Sequence, residues 1–112
     1  MNEHPQRIQK PVDSEVLAQA EAVYVSIWNM DCPDCATWLH NGLIQLDSVL
    51  MVDVFYEQGI GVIIYAPART TPTELLKVVK NIGKEVCHYY GAEIIGHSPA
   101  KQALRLESRN IP

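Results

Sequence analysis

Two cysteines separated by two residues carry the most specific chemistry in this sequence of 112 residues. Cys32 and Cys35 stand in the segment MDCPDC, residues 30–35, and a helical pattern of apolar residues follows at once. The N-terminal end of a helix has partial positive charge and unpaired N–H groups, which favour the thiolate form of a cysteine placed there. Thiolates are soft ligands that select Cu(I), Zn(II) and their heavier relatives over Mg(II) or Ca(II). The pair therefore predicts a site for one soft metal ion.

A CxxC motif has two other chemical interpretations. A structural zinc site normally has four protein ligands, and the further candidates are Cys87, His40, His88 and His97. Because no second CxxC or HxxxH pair is present, a closed zinc site is not favoured. The alternative function is a glutaredoxin- or thioredoxin-like thiol–disulfide oxidoreductase, since residues 32–35, CPDC, resemble the CPxC segment of glutaredoxins. That fold needs another strand and helix before its hairpin, and no other catalytic set stands out, so we expect no enzyme.

A strand and a helix are predicted on either side of the cysteines. Residues 23–28 alternate between β-branched and other side chains, a period of two that is typical of a half-buried strand. Tyr24 and Trp28 are expected on its outer face. After the cysteines, residues at helical spacing form one face, which comprises Cys35, Leu39, Leu43 and Leu46. The pair is thus predicted at the junction of a strand and a helix.

Two more strands and a second helix follow. Residues 52–55 and 61–65 have strand patterns, and the glycine-containing residues 57–60 between them predict a hairpin. Residues 71–74, TPTE, combine a capping threonine, a proline at the first helical position and a capping-box glutamate. The helix that they start continues with apolar residues at helical spacing, Leu75, Val79 and Ile82.

The segment after this helix leaves two interpretations open. The helix continues to Tyr90, with Gly83 inside it at a cost of about 1 kcal/mol, or it ends at Gly83 and residues 84–89 form a strand. Residues 92–96 form a short strand in either case.

This order of elements predicts an α+β fold of the ferredoxin-like βαββαβ type, with a four-stranded antiparallel sheet and two helices on one face. We predict one domain over residues 22–96. A flexible N-terminal arm covers residues 1–21, in which Ser14 starts a short helix, and a C-terminal tail covers residues 97–112.

Charge and hydropathy restrict the partners and the compartment. The net charge is -4, and residues 22–96 hold eight acidic against four basic side chains, whereas residues 97–112 are mildly basic. An acidic domain argues against nucleic acid as a ligand, because phosphate binding needs a basic face. No apolar run approaches the length of about 20 residues that a membrane span needs, and the N-terminus lacks the apolar stretch of a signal peptide. We therefore expect a cytoplasmic protein without membrane insertion.

The segment 25–35, VSIWNMDCPDC, resembles the heavy-metal-associated domain family, which includes copper chaperones, small mercury-binding proteins and modules of metal-exporting ATPases. The family motif is Gly-Met-x-Cys-x-x-Cys; Met30, Cys32 and Cys35 match it, and Asn29 stands where glycine is usual. The resemblance extends over about residues 22–90. It implies that both cysteines bind one soft ion, of the Cu(I) or Zn(II), Cd(II) and Hg(II) class, and that Met30 supports the loop from inside.

The resemblance also implies how the ion is passed on. The partner would be a metal-transporting ATPase or another metalloprotein with a CxxC site, and transfer would proceed by exchange of thiolate ligands. It also allows a metal-bridged dimer.

Two auxiliary residues give conflicting indications of the metal. Lys84 resembles a lysine that lies near the metal loop of copper chaperones and balances the charge of two thiolates on Cu(I), provided that Gly83 ends the helix. Asp31 resembles the aspartate of zinc, cadmium and lead exporters, and its carboxylate suits a divalent ion better. Of the other candidate ligands, Cys87 is expected to be a buried, inert cysteine and His40 to lie on the surface.

Overall fold

The computed structural model describes residue 11, residues 14–28, residue 30, residues 33–86 and residues 91–102. In these ranges the elements, in chain order, are α1 (Ser14–Ala18), β1 (Glu21–Trp28), α2 (Pro33–Ile44), β2 (Val49–Phe55), β3 (Ile60–Tyr65), α3 (Pro72–Val86) and β4 (Gly91–Pro99). Residues 100–102, directly after β4, are helical. The predicted order of strands and helices is therefore present, preceded by the short helix α1.

The four strands form one antiparallel sheet in the order β2-β3-β1-β4. Alternate residues of the strands face α2 and α3, which pack on the same side of the sheet and contact each other. The main core lies between these two layers, and its fully buried side chains include Val25, Leu39, Ile63 and Val79. The predicted ferredoxin-like fold, with both helices on one face, is confirmed, and a hairpin follows α2 directly, unlike in a thioredoxin-like chain.

The hairpin between β2 and β3 turns at a glycine that no other residue replaces easily. Gly59 has a φ of 66°, a left-handed conformation that costs other residues about 1–2 kcal/mol. Its carbonyl accepts a hydrogen bond of 2.7 Å from the N–H of Ile27, so the turn also holds the end of β1.

Helix α3 starts where it was predicted to start, and it continues beyond Gly83, where one of the two interpretations ended it. The hydroxyl of Thr71 accepts a 3.3 Å hydrogen bond from the N–H of Glu74, which caps the first turn. The helix continues through a buried Gly83 to Val86, so the strand interpretation of residues 84–89 is wrong for residues 84–86. Packing of the helix against the core outweighs the modest intrinsic cost of the glycine. Residues 87–90 lie outside the described part of the chain.

The sheet extends beyond both predicted domain boundaries. Strand β1 begins at Glu21, and β4 runs to Pro99 instead of ending at residue 96, so its last three residues belong to the sheet and not to a tail. Cross-strand bonds explain the extension: the Tyr24 hydroxyl lies 2.9 Å from the Ser98 hydroxyl, and the Tyr65 hydroxyl lies 2.9 Å from Nε2 of His97.

The face of the sheet opposite α2 and α3 carries a second apolar cluster. Its buried members are Ala20, Ala22, Val62, Ile64 and Ala100. Leu17 and Ala20, which precede β1, and Ala100, which follows β4, therefore pack onto this face, although they belong to the predicted arm and tail. Among the described helices, none is long and apolar enough to span a membrane.

Candidate metal site

Cys35 occupies the third position of α2, in its first turn, and its side chain is fully buried in the main core. The preceding proline suits the start of a helix because its missing N–H would have no partner there. Cys35 lies on the same buried side of α2 as Leu39 and Leu43. Its side chain therefore faces the sheet at the N-terminal end of the helix. One of the two predicted sulfur ligands is thus held by a rigid element and shielded from water.

Met30, between β1 and α2, contacts the main core. This residue is partly buried. A flexible, unbranched side chain fills such a position well. Met30 therefore ties the middle of the segment between β1 and α2 to the layer that also holds Cys35.

The end of β1, four residues before Cys32, is held by a close aromatic contact. The indole ring of Trp28 lies directly on Gly91, its partner residue in β4, and leaves no room for a Cβ atom there. About half of the Trp28 side chain, 49%, remains exposed. Trp38, on α2, is also partly exposed, so one tryptophan lies on each side of the cysteine segment.

Comparisons with known proteins find matches among solved structures. No protein-family model and no curated protein matches the chain. A copper binding domain from HMA7, a P-type ATPase, matches with a TM-score of 0.61 at 17% identity, over 69% of this chain and 96% of that one. Oxidized MerP from Ralstonia metallidurans CH34 matches with a TM-score of 0.59 at 22% identity, over 69% and 99%. The chain has the fold of the heavy-metal-associated domains.

A third structure extends this comparison. The N-terminal domain of a potential copper-translocating P-type ATPase from Bacillus subtilis, solved in its Cu(I)-loaded state, matches with a TM-score of 0.61 at 20% identity. The match covers 70% of this chain and 91% of the other. The heavy-metal-associated fold thus accounts for about two thirds of the chain.

The heavy-metal-associated fold brings part of the predicted site together within the described residues. Cys35 and Met30 both contact the main core at the β1–α2 junction. Cys32 and Asp31 lie outside the described part of the chain, directly before α2. Lys84 lies in α3, because Gly83 does not end that helix. The condition for the copper-chaperone resemblance of Lys84 is therefore not met.

The remaining candidate ligands do not join Cys35 in the described structure. His40 is buried, with 7% of its surface exposed, so its predicted surface position is wrong. The buried side of α2 is wider than the stripe of Leu39 and Leu43, because it also includes Ala36 and Ile44, and His40 lies between these two residues on the helix surface. His97 lies at the far end of β4, paired with Val23. Cys87 and His88 lie outside the described ranges, and no group of three or more metal-binding side chains occurs within them.

Sequence reasoning missed a polar cluster at the end of the sheet far from the cysteines. Nε2 of His97 lies 2.9 Å from the Tyr65 hydroxyl and 3.8 Å from Oε2 of Glu21. Burial raises the pKa of Tyr65, and the negative charge of Glu21 raises it further. The sequence shows His97 only as a histidine in the predicted tail. It lies beside Tyr65 because β4 is longer than predicted and includes residue 97.

Proposed function

We propose that this chain binds one soft metal ion through Cys32 and Cys35 and transfers it to the thiolates of a partner protein. The observation that carries the proposal is the position of Cys35, in the first turn of the helix that follows β1, one of the two central strands of a heavy-metal-associated fold. Cys32 directly precedes Pro33 in the sequence, and its spacing of three residues from Cys35 would let both sulfurs bind one ion. The structural similarity to copper-binding domains of P-type ATPases supports a thiophilic ion as the cargo.

The burial of Cys35 defines the direction of exchange in this proposal. The Cys35 side chain is fully buried, so an incoming thiolate of a partner would approach the ion from the side away from Cys35, form a new bond to the ion and displace the thiolate of Cys32. Exchange would begin at the bond between the ion and Cys32, and Cys35 would release the ion last. Met30 would keep the segment in place from the core side.

Partner and compartment follow from the same reasoning. We propose a metal-transporting ATPase or another CxxC-bearing metalloprotein as the recipient, in the cytoplasm, because P-type ATPase domains are among the structural neighbours. No reaction other than ligand exchange is proposed. The structure gives the thioredoxin-like alternative no support, since its strand order is that of the heavy-metal-associated fold.

Metal titration of the reduced protein tests the site. Cu(I), Zn(II) and Cd(II) are added in competition with a chelator, and binding is measured by native mass spectrometry and by thiolate-to-metal absorption. We expect one ion per chain, lost in Cys32→Ser and in Cys35→Ser and retained in the matched control Cys87→Ser. Failure of the reduced wild type to retain any of these ions, or equal loss in the control, would contradict the proposal.

The choice of metal is tested with Asp31→Asn. If the Asp31 carboxylate supplies a hard oxygen donor, this variant weakens Zn(II) and Cd(II) binding by about tenfold or more and leaves Cu(I) binding unchanged. Equal effects on all three ions would assign Asp31 no role in coordination.

A glutathione-linked turnover assay tests the alternative function. Robust activity that requires both cysteines would favour a thiol–disulfide oxidoreductase instead.

A further inference from the structure

Two exposed aromatic side chains lie at the end of the sheet that leads into the cysteine segment, residues 30–35. Phe55 ends β2 and Trp28 ends β1. Both point to the face of the sheet opposite α2 and α3, here called the outer face, because the residue before each of them, Val54 or Ile27, belongs to the main core. Their exposed fractions are 42% and 49%. Large apolar side chains that remain in water at one end of a domain indicate a contact surface.

The strand register places these side chains in neighbouring positions across the sheet. Phe55 pairs with Ile60 of β3, and Ile60 pairs with Ser26 of β1. Ser26 in turn pairs with Glu93 of β4. One row of side chains thus crosses all four strands, a width of about 14 Å at about 4.8 Å per strand. Trp28 lies two residues beyond Ser26, or about 7 Å nearer to the cysteine segment. These five residues are called the aromatic surface below.

The charges around the aromatic surface are negative. Glu57, in the hairpin turn beside Phe55, and Glu93, within the row, are exposed. Asp53, two residues before Phe55, points to the same face. The basic residues of the described chain belong to α3 or follow β3 and β4 at the opposite end of the sheet; they are Arg69, Lys77, Lys80, Lys84 and Lys101. This distribution favours a basic partner, because opposite charges attract and orient it.

We propose that the aromatic surface is the docking site of the protein that receives the ion, and that this protein covers the two aromatic rings with apolar side chains and faces Glu57 and Glu93 with basic ones. The inference rests on the proposed function, which assigns such a recipient. Only residues 29–32 separate Trp28 from α2, so an acceptor docked here has its thiolates beside the ion. Each acceptor thiolate that bonds to the ion displaces one thiolate of this chain. Docking raises the local concentration of acceptor thiolates and speeds the exchange.

Trp38, the exposed aromatic residue on the other side of the cysteine segment, offers less contact area. It is a single side chain of α2 with 37% exposed, whereas Phe55, Ile60 and Trp28 add apolar area from three neighbouring strands. The core of a protein interface is a contiguous apolar area with a polar rim, and the acidic residues supply that rim here. The same acidic residues would repel anionic lipid headgroups, so a protein is the better occupant.

Two synthetic peptides serve as acceptors of defined chemistry. Each contains the same CxxC segment and an arm of eight residues, which alternate leucine and lysine in one peptide and leucine and glutamate in the other. An extended arm of this length reaches about 26 Å, more than the width of about 14 Å of the aromatic surface. We expect Cu(I) to pass from the loaded protein to the lysine peptide at least about fivefold faster than to the glutamate peptide, with a difference that shrinks in high salt. Equal rates would overturn the proposal.

A variant pair shows whether docking uses the aromatic surface. Phe55→Ser removes an apolar side chain of this surface, and the matched control Val16→Ser removes one of similar exposure, 43%, from α1, which precedes β1 at the other end of the sheet. We expect transfer to the lysine peptide to slow about fivefold in Phe55→Ser and to stay within about twofold of the wild-type rate in Val16→Ser. Transfer to dithiothreitol, which needs no docking, should be unchanged in both variants. Equal rates in the two variants, or an equal slowing with dithiothreitol, would overturn the proposal.

A measurement without metal separates this proposal from the proposed function. The lysine peptide, with serines in place of its cysteines, is added to isotope-labelled, metal-free protein, and the amide chemical shifts are followed. We expect the largest shift changes at residues 55, 60 and 93. Changes confined to α2 around Trp38, or no changes at all, would overturn the docking site even where the chain binds metal as proposed. Absence of bound Cu(I) in the reduced wild type would instead refute the proposed function, and with it the role of the docked protein as recipient.

Discussion

Replacing Gly42 by alanine probes the contact between α2 and α3. A Cβ atom at position 42 would lie 2.6 Å from Cδ1 and 3.1 Å from Cγ1 of Ile82. Carbon atoms pack best at about 3.5–4.0 Å, so Ile82 must change its rotamer or the two helices must separate. Overpacking of this kind costs about 1–3 kcal/mol, whereas alanine is preferred to glycine inside a helix by about 1 kcal/mol. We therefore expect a net destabilisation of about 0–2 kcal/mol.

The double variant Gly42→Ala/Ile82→Val separates the two opposing terms. Ile82→Val removes Cδ1, the atom nearest to the new methyl group, and by itself costs about 0.5–1.5 kcal/mol. In the double variant, alanine keeps its helix preference without the closest contact. The loss in unfolding free energy should therefore be smaller than the sum of the two single losses by about 1 kcal/mol.

Urea unfolding followed by circular dichroism measures all four proteins of this cycle, with the slope m required to stay constant. Because α2 carries Cys35, metal affinity is measured on the same samples. Additivity of the two losses within about 0.5 kcal/mol would refute the reasoning, since it would show that Ile82 does not limit the space at Gly42. A Gly42→Ala variant more stable than the wild type by about 1 kcal/mol would refute it as well.

Three further predictions concern the fold that positions the site. Gly59→Ala should cost about 1–2 kcal/mol, because φ is 66° and the new Cβ would lie 2.7 Å from the Ile27 carbonyl oxygen; an unfolding free energy equal to that of Gln58→Ala would contradict this. Because the pKa of Tyr65 is raised from 10.0, the folded protein keeps this proton where the unfolded chain loses it, so wild-type stability should fall as pH rises above about 10. Tyr65→Phe should show a shallower fall in urea titrations, and parallel curves would count against the assignment. Thr71→Ala should lose about 1 kcal/mol of stability while Thr71→Ser retains it; equal losses would mean that the hydroxyl does not cap α3.

The parts of the fold that local pattern determines were predictable from the sequence. The alternation in residues 23–28 specifies which residues of β1 face the core, and Val23, Val25 and Ile27 are buried as a result. The Thr71 cap and the hairpin turn at Gly59 are also local features, and both were predicted at the observed positions.

The errors arise where tertiary contacts decide. His40 lies on the same side of α2 as the buried Ala36 and Ile44, away from the Gly42 contact with α3, and the periodicity of the apolar residues alone does not reveal that this side is covered. The strand β4 reaches Pro99 because Ser98 and His97 find partners in β1 and β3, and those partners are more than 30 residues away in sequence. Of the site itself, the ligand pair Cys32 and Cys35 stays a prediction, and the burial of Cys35 depends on the whole core and could not be read from the motif.

The contact between Trp28 and Gly91 has a thermodynamic consequence for an empty site. It secures the last residue of β1, and α2 begins at Pro33, so only residues 29–32 separate two rigid elements. Met30 already packs against the main core, so ordering residues 29, 31 and 32 would cost the proposed metal binding at most about 3–6 kcal/mol, at about 1–2 kcal/mol of backbone entropy per residue. The two apolar clusters stabilise the rest of the domain, so under the proposed function we expect the domain to stay folded when the ion is released, in contrast to small zinc domains that unfold when their metal is removed.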